Sequence, residues 1–392
     1  MTTKISKTKE IDKKYVAPTY ARFDVEIVSG KGSRVFDSDG KEYIDLSTGI
    51  AVNIFGVCDE EWRTAVTEQL GKFQHTSNLY YSEPCARLAE LLCEKTGASK
   101  VFFGNSGAEA NECAIKIARK WAQDTKGVGD YSIITLKNSF HGRTIATLSA
   151  TGQDVFHKDF GPFPKGFLYA EANSAESVRE LAKANSCCAV MMEPVQGEGG
   201  VMPLTPEFVR EVKKIADEYG LLLIFDEVQT GNGRCGTLYA YEQFGVKPDV
   251  VTTAKGLGGG LPIGATIIFD RVSQTLGAGS HGSTFGGNPI AAAGAVNIIS
   301  RIDEELLSGV QERSEYIFSE LTEAPGIKSV SGLGLMIGIE TERDVNEVLS
   351  ECMARGILPI KAKSKLRLLP ALNIPMDDLK RAVEIIKEVC KK

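Results

Sequence analysis

The sequence lacks an apolar run long enough to cross a membrane, and it has only four histidines. Its nine cysteines are an odd number and include no C-x-x-C pair, which indicates reduced cysteines in a chain of this length. The four histidines, at positions 75, 141, 157 and 281, are too far apart in the sequence to suggest a metal site. We therefore expect neither a disulfide framework nor a bound metal.

An excess of positive charge is also absent, since the formal net charge is -6. This argues against nucleic acid or an anionic membrane as the main partner. Residues 1–14 are polar and lysine-rich and do not contain the apolar core of a signal peptide. The sequence therefore predicts a cytoplasmic protein.

What the 392 residues do contain is an alternation of short apolar runs with segments of helical periodicity. The predicted strands are 100–103, 131–136, 188–192, 221–225, 250–253 and 263–269. This alternation predicts an α/β fold with a mainly parallel sheet that helices cover on both faces. Beyond residue 325 the pattern changes to short strands and two helices. The expected organisation is a mobile leader at 1–14, an N-terminal segment at 15–55 that packs on a small domain, a large domain at 56–324 and the small C-terminal domain at 325–392.

Two charged residues follow apolar runs in the middle of the chain. Asp226 comes directly after the run 221–225, and Lys255 follows the run 250–253 and enters a glycine-rich loop. The carboxyl ends of strands form the ligand-binding edge of such a sheet. An ionised carboxylate there needs a cation such as a protonated pyridine nitrogen, and desolvation lowers the pKa of a lysine toward the neutral nucleophile. Taken singly, Asp226 could cap a loop and Lys255 could be a surface amine.

A strand, a glycine-containing turn and a helix start also follow one another at residues 100–121. Backbone N–H groups at such a helix start bind anions, most often phosphate, and Ser106 adds a hydroxyl; a plain capped helix is the alternative. A phosphate site, the Asp226 carboxylate, nearby Gln229 and Lys255 together fit pyridoxal phosphate, because a lysine forms a Schiff base with its aldehyde. Phe140 could lie against the ring of this cofactor or belong to the core.

Eight motifs occur in an order that resembles the class III (ω-amino-acid) aminotransferases of fold type I, and among them most closely the N-acetylornithine aminotransferases. The matching segments are 18–23 (PTYARF), 49–53 (GIAVN), 106–111 (SGAEAN), 139–144 (SFHGRT), 193–200 (EPVQGEGG), 225–229 (FDEVQ), 254–255 (AK) and 282–289 (GSTFGGNP). The resemblance extends from about Tyr15 to the last predicted helix. The set is highly specific for the family and less specific for the substrate.

The resemblance implies roles for the matching residues. As catalytic residues, Lys255 would bind the cofactor covalently and transfer the proton, Asp226 would pair with the ring nitrogen, and Gln229 would reach the phenolic oxygen. Arg143 would bind a substrate carboxylate, while Arg367 would take the α-carboxylate of glutamate with Glu198 as its mobile partner. The implied cofactor-binding set is Ser106, Gly107, Ala108, Phe140, Asp226, Glu227, Val228, Gln229, Lys255 and Thr284, the last reaching the neighbouring subunit of a homodimer. The implied substrate-binding set is Tyr20, Arg143, Glu198, Ser283 and Arg367.

Two positions bear on the loop structure and the substrate. Where relatives usually have Gly-His-Cys-His-Pro, residues 56–60 read Gly-Val-Cys-Asp-Glu, which leaves the local structure of this loop open. Ile50 stands where ornithine 5-aminotransferases are expected to have a tyrosine for the free α-amino group. Its presence favours an acylated ornithine or another substrate.

The leading expectation is the transamination of N2-acetyl-L-ornithine with 2-oxoglutarate, which gives N-acetyl-L-glutamate 5-semialdehyde and L-glutamate in arginine biosynthesis. A close alternative is another ω-amine, such as 4-aminobutyrate, succinylornithine or ornithine. The same scaffold also resembles aminomutases and racemases. A non-catalytic cofactor-binding protein is disfavoured because Lys255, Asp226 and Gln229 are all present.

Overall fold

The computed structural model describes residues 6–129 and 131–392. Its first elements are a helix, a three-stranded antiparallel meander and one further turn: α1 (Lys7–Tyr15), β1 (Ile27–Lys31), β2 (Arg34–Asp37), β3 (Glu42–Asp45) and α2 (Thr48–Ala51). The sequence predicts the β2–β3 hairpin but no helix before residue 15, because α1 buries none of its side chains. Whether this leader is mobile stays a prediction.

The central part of the chain forms a seven-stranded sheet between helices. Its elements are α3 (Glu60–Lys72), α4 (Glu83–Thr96), β4 (Lys100–Gly104), α5 (Gly107–Lys126), β5 (Ser132–Leu136), α6 (Ile145–Ala150), β6 (Phe167–Ala170), α7 (Ala175–Ala184), β7 (Cys187–Met192), β8 (Val195–Gln196), β9 (Met202–Pro203), α8 (Pro206–Glu218), β10 (Leu222–Asp226), β11 (Val250–Thr253), β12 (Gly264–Ile268) and α9 (Pro289–Ser300). The strand order is β4-β12-β11-β10-β7-β5-β6, and β12 alone runs in the direction opposite to the other six strands. The prediction of a mainly parallel sheet is confirmed.

The middle strands of this sheet are covered on both faces. Every residue of β7, β10, β11 and β12 is buried. Two apolar clusters account for this burial, one on each side of β10: Leu223 and Phe225 belong to one cluster, and Leu222 and Ile224 belong to the other. Burial on both faces explains why β7 and the first four residues of β10 are continuous apolar runs in the sequence.

The remaining elements are three helices, the four strands of a second, antiparallel sheet, and one further strand that belongs to the sheet of β1, β2 and β3. They are α10 (Glu304–Leu321), β13 (Ile327–Leu333), β14 (Met336–Thr341), α11 (Val345–Ala354), β15 (Ile357–Leu358), β16 (Ile360–Ala362), β17 (Lys365–Leu368) and α12 (Met376–Cys390). Strand β15 pairs with β3, and Arg34 forms an ion pair with Asp378 at 2.7 Å. These contacts join the N-terminal strands to the C-terminal part of the chain; the domain boundaries after residues 14, 55 and 324 stay predictions.

All nine cysteines are free, and six of them are buried. Among the described residues, no helix has the length and apolar character needed to span a membrane, and no group of side chains is suited to hold a metal ion.

Candidate active site

A cavity of about 580 Å³ opens at the carboxyl ends of β5, β10 and β11 and beside the N-terminus of α5. Ten of the residues predicted for the site line it: Tyr20, Ser106, Gly107, Ala108, Phe140, Arg143, Asp226, Val228, Gln229 and Lys255. The structure therefore brings together residues from five separate sequence motifs, as expected for an α/β sheet whose strands end at one edge.

Asp226 is the last residue of β10, and its side chain is held by three hydrogen bonds. Asn111 Nδ2 donates to Oδ2 at 2.7 Å, His141 Nδ1 lies 2.8 Å from the same oxygen, and the Val228 N–H donates to Oδ1 at 3.1 Å. Thr252 in turn donates to Asn111 Oδ1 at 2.6 Å. Asp226 is only 3% exposed, so this network fixes one orientation of its carboxylate at the cavity wall.

Lys255 follows β11 on a short 3₁₀ turn and lines the same cavity. Its φ of 47° lies in the left-handed region, which is uncommon for a residue with a side chain and is typical of functional sites. Asn232 Nδ2 donates to the carbonyl of Ala254 at 3.2 Å and so holds the preceding peptide. Burial lowers the pKa of Lys255, although Glu198 opposes this effect. A lowered pKa suits an amine that acts as nucleophile and base.

The N-terminus of α5 forms the third side of the cavity. Ser106 is the N-cap and accepts a hydrogen bond from the Glu109 N–H at 3.2 Å. A Cβ atom at Gly107 would lie 2.6 Å from Val228 Cγ1, so only glycine allows this close packing. The first N–H groups of this 20-residue helix, at Gly107 and Ala108, are thus available to a phosphate and carry the positive end of the helix dipole.

Arg367 on β17 reaches the site from the second sheet. Its Nη1 atom donates to Glu198 Oε1 at 2.6 Å and to Gln229 Oε1 at 3.0 Å, and the residue is only 2% exposed. Burial favours the neutral carboxyl of Glu198, but the adjacent Arg367 guanidinium lowers the pKa of Glu198 overall. Gln229 lines the cavity, so it links this ion pair to the cavity wall.

Besides Glu198 and Arg367, three further predicted site residues do not line the cavity. The Glu227 side chain points into the core, where Oε1 accepts a hydrogen bond from the Tyr241 N–H at 2.7 Å and Oε2 accepts one from the Thr230 hydroxyl. Thr284 is exposed, and Ser283 Oγ accepts a hydrogen bond from Asn105 Nδ2 at 3.0 Å, at the edge of the cavity. Their assignment to the site stays a prediction.

Glu193 lines the cavity but does not belong to the predicted catalytic, cofactor-binding or substrate-binding sets. Its Oε2 atom accepts a hydrogen bond from the Phe140 N–H at 2.8 Å, and Oε1 accepts one from the Gly197 N–H at 3.4 Å. Burial and the nearby Asp226 raise the pKa of Glu193. Two features of the sequence indicate its proximity to the site: its position after β7 and its place at the start of the 193–200 motif.

The donor set fits a phosphorylated pyridine aldehyde. The α5 N-terminus suits the phosphate, Asp226 suits a pyridine N–H, and Lys255 supplies an amine for the aldehyde. A side chain at position 107 would collide with Val228, so glycine is what allows Val228 to pack against the helix N-terminus.

Residues 15–390 match the family described as Aminotransferase class-III. The chain is 48% identical to acetylornithine aminotransferase of Haemophilus ducreyi and covers 98% of it, with 97% of this chain aligned. It is 42% identical to succinylornithine transaminase of Citrobacter koseri, with 99% of this chain and 98% of that protein covered.

Solved structures of aminotransferases are also similar to this chain. The N-acetylornithine aminotransferase from Stenotrophomonas maltophilia K279a superposes with a TM-score of 0.84 at 36% identity, covering 97% of each chain. An ornithine aminotransferase from Toxoplasma gondii, crystallized with partial occupancy of PLP at its active site, superposes with a TM-score of 0.93 at 32% identity, covering 98% of this chain and 94% of that chain.

Proposed function

The chain belongs to the class III aminotransferases, and on this basis we propose that it transfers the amino group of N2-acetyl-L-ornithine to 2-oxoglutarate in arginine biosynthesis. The products are N-acetyl-L-glutamate 5-semialdehyde and L-glutamate, and the cofactor is pyridoxal phosphate. The main support for this chemistry is that Lys255, Asp226 and the N-terminus of α5 line one cavity. The choice of substrate is supported by the acetylornithine aminotransferases that are 48% and 43% identical to this chain.

Each residue has a distinct task in this proposal. Bound pyridoxal phosphate supplies an electron sink for the carbon that bears the amino group. Asp226, oriented by His141 and Asn111, accepts the hydrogen bond of the pyridine N–H and keeps that nitrogen protonated. As a neutral amine, Lys255 would take the proton from the substrate carbon and carry it through the 1,3-prototropic shift.

The remaining site residues bind and orient. Gly107, Ala108, Phe140 and Val228 all line the cavity. The N–H groups of Gly107 and Ala108 would hold the phosphate, and Phe140 and Val228 would flank the ring. Tyr20, Ser283 and Thr284 complete the substrate and phosphate contacts, and Gln229 adds a hydrogen bond to the phenolic oxygen.

The two arginines explain how one site accepts two amines. In the acetylornithine half-reaction the amine at the end of the side chain reacts, so the α-carboxylate lies far from the reacting carbon and binds Arg143. Glutamate reacts at its α-amine. Its α-carboxylate therefore needs Arg367, released from Glu198, while its side-chain carboxylate takes Arg143. A planar, bidentate guanidinium suits both carboxylates.

Succinylornithine is the second candidate donor, because a succinylornithine transaminase is 42% identical over nearly the full chain. Both donors are acylated on the α-amine. Ile50 is 42% exposed and offers no hydrogen bond to a free α-amine, which agrees with an acylated substrate.

We also infer a cytoplasmic homodimer whose two sites lie at the interface. Large apolar side chains are exposed around the 282–289 loop and the 79–81 segment: Leu79, Tyr80, Tyr81 and Phe285. Thr284 lies on this exposed surface, where it would reach the site of a second subunit. Sedimentation equilibrium tests the dimer, and loss of cofactor affinity in Thr284→Ala tests the shared site.

The decisive experiment is a panel of amine donors with 2-oxoglutarate as acceptor. We expect kcat/KM to be highest for N2-acetyl-L-ornithine, next for N2-succinyl-L-ornithine, and lower for L-ornithine and 4-aminobutyrate. Omission of the 2-oxo acid should stop multiple turnover. Continued turnover without it would indicate an aminomutase or racemase, and a preference for 4-aminobutyrate would reject the proposed donor.

A further inference from the structure

The guanidinium of Arg143 lies against two aromatic rings at the cavity wall. Its Cζ atom is 4.3 Å from the ring centroid of Phe156 and 5.4 Å from that of Phe140. The two rings meet edge to face, with centroids 5.7 Å apart. In the described ranges, 6–129 and 131–392, no protein group accepts a hydrogen bond from Arg143. The cation is thus held by ring contacts, while the N–H donors remain available to a ligand.

The turn that carries Phe156 is fixed to the loop that carries Arg143. Gln153 Nε2 donates to the carbonyls of Asn138 and Ser139 at 3.3 and 3.0 Å. The Gly152 N–H donates to Ser139 Oγ at 3.0 Å, and the Phe156 N–H donates to the Gln153 carbonyl at 3.0 Å. The ring of Phe156 therefore has a defined position relative to the cavity and does not depend on a flexible loop.

We propose that Phe156 is a positioning residue that sets the preference of this site for substrates with a carboxylate far from the reacting carbon. It acts through Arg143 and touches no reacting atom, so the inference rests on the proposed carboxylate-binding role of Arg143. Without the ring, the long Arg143 side chain populates several rotamers and loses conformational entropy when a carboxylate binds. With the ring in place, Arg143 is already ordered before binding, so the entropic cost of binding a carboxylate is smaller.

Phe156→Leu removes the π face while keeping an apolar side chain, and Phe156→Tyr keeps the ring. Phe160→Leu is the matched control, because Phe160 is exposed, lies in the same segment and makes no ring contact with Arg143 among the described residues. Cation–π contacts of this kind correspond to a change of roughly 3- to 30-fold in affinity. The readout is the dissociation constant of glutarate, an unreactive dicarboxylate, measured by calorimetry on the cofactor-loaded protein. It needs no turnover.

We expect glutarate to bind roughly 3- to 30-fold more weakly to Phe156→Leu and nearly normally to Phe156→Tyr and Phe160→Leu. In an Arg143→Gln background, Phe156→Leu should cause no further loss. Phe156→Met, which also fills the space without a ring, replaces Phe156→Leu if the leucine variant is not soluble.

Unchanged glutarate binding in Phe156→Leu, together with weakened binding in Arg143→Gln, would overturn only this inference. An equal loss from Phe156→Leu with and without Arg143 would overturn it as well, because the effect would not pass through the arginine. Unchanged binding in Arg143→Gln would instead reject the carboxylate role of Arg143 in the proposed function, and this inference with it.

Discussion

Replacement of Glu198 by alanine removes the ion-pair partner of Arg367 on β17, the residue proposed to bind the α-carboxylate of glutamate. The change should therefore affect the two half-reactions differently. Arg367 Nη1 donates to Glu198 Oε1 at 2.6 Å, so the α-carboxylate of glutamate must displace Glu198 before it can bind this guanidinium. Removal of Glu198 removes the competitor. A hydrogen bond to a charged group contributes about 1.5–3 kcal/mol, so glutamate should bind on the order of 10- to 100-fold more tightly to Glu198→Ala.

The same change destabilises the ligand-free protein. Arg367 keeps its 3.0 Å contact with Gln229 but loses its only carboxylate partner among the described residues. Removal of one partner of a buried ion pair lowers the free energy of unfolding by about 3–5 kcal/mol. Because Glu198 is partly exposed, we expect a decrease of about 3 kcal/mol or less. Glutamate should therefore raise the melting temperature of Glu198→Ala more than that of the unmodified protein, because its carboxylate restores the missing partner.

Single-turnover absorbance changes, recorded with each amine substrate alone, measure both half-reactions. Glu198→Ala should lower the glutamate concentration needed for half-maximal rate and leave the value for N2-acetyl-L-ornithine nearly unchanged. Arg367→Ala is the counterpart and should impair mainly the glutamate half. Equal changes in both halves for either variant would refute the exchange of Glu198 for a substrate carboxylate, and would leave Arg367 with a structural role.

Three further predictions concern single residues. Lys255→Ala should lose activity on the order of 100- to 10,000-fold or more yet still bind the cofactor through its phosphate; near-normal multiple turnover with a cofactor absorbance spectrum like that of the unmodified protein would contradict this. Asp226→Asn should lower kcat on the order of 100-fold with a smaller change in KM, and an unchanged rate of substrate proton exchange would remove Asp226 from the mechanism. Burial raises the pKa of Glu227 from 4.5 to about 7, so the folded protein binds an extra proton between these pH values and the free energy of unfolding falls by roughly 3 kcal/mol as pH rises through them. Glu227→Gln should flatten the melting temperature between pH 5 and pH 8, and an unchanged pH slope would contradict this assignment.

The sequence predicts the buried strands well and the exposed elements poorly. Strands β10 and β11 are buried on both faces, and their bounds agree with the prediction within a residue. Strand β6 at the sheet edge is not predicted, because three of its four residues are only half-buried and its sequence carries a weak signal. Helix α1 is missed for a related reason, since it has no buried face from which periodicity could be read.

Within the site, the sequence predicts which reactive residues lie at the strand ends. It does not predict contacts between residues that are far apart in the chain. Asp226 faces the cavity, whereas its neighbour Glu227 faces the core, because successive side chains of an extended chain point to opposite sides. The partners of Asp226 are 115 and 85 residues away at Asn111 and His141, so no local pattern indicates that they meet. The same holds for the ring of Phe156 under Arg143.

The 56–60 segment, where a Gly-His-Cys-His-Pro run is expected in relatives, is held by contacts of its own residues. Asp59, in place of a histidine, is the N-cap of α3 and accepts the Trp62 N–H at 2.9 Å, and Arg301 binds its two oxygens at 2.5 and 3.0 Å. Aspartate is among the best N-cap residues and histidine is not, so this helix start gains a cap and an ion pair. Trp62 Nε1 then donates to the carbonyl of Gly258 at 3.1 Å, and the Gly258 N–H donates to the carbonyl of Lys255 at 3.0 Å. The helix that Asp59 caps is therefore hydrogen-bonded to the turn that presents the reactive lysine, which explains how the loop can lose both histidines while the lysine keeps its place.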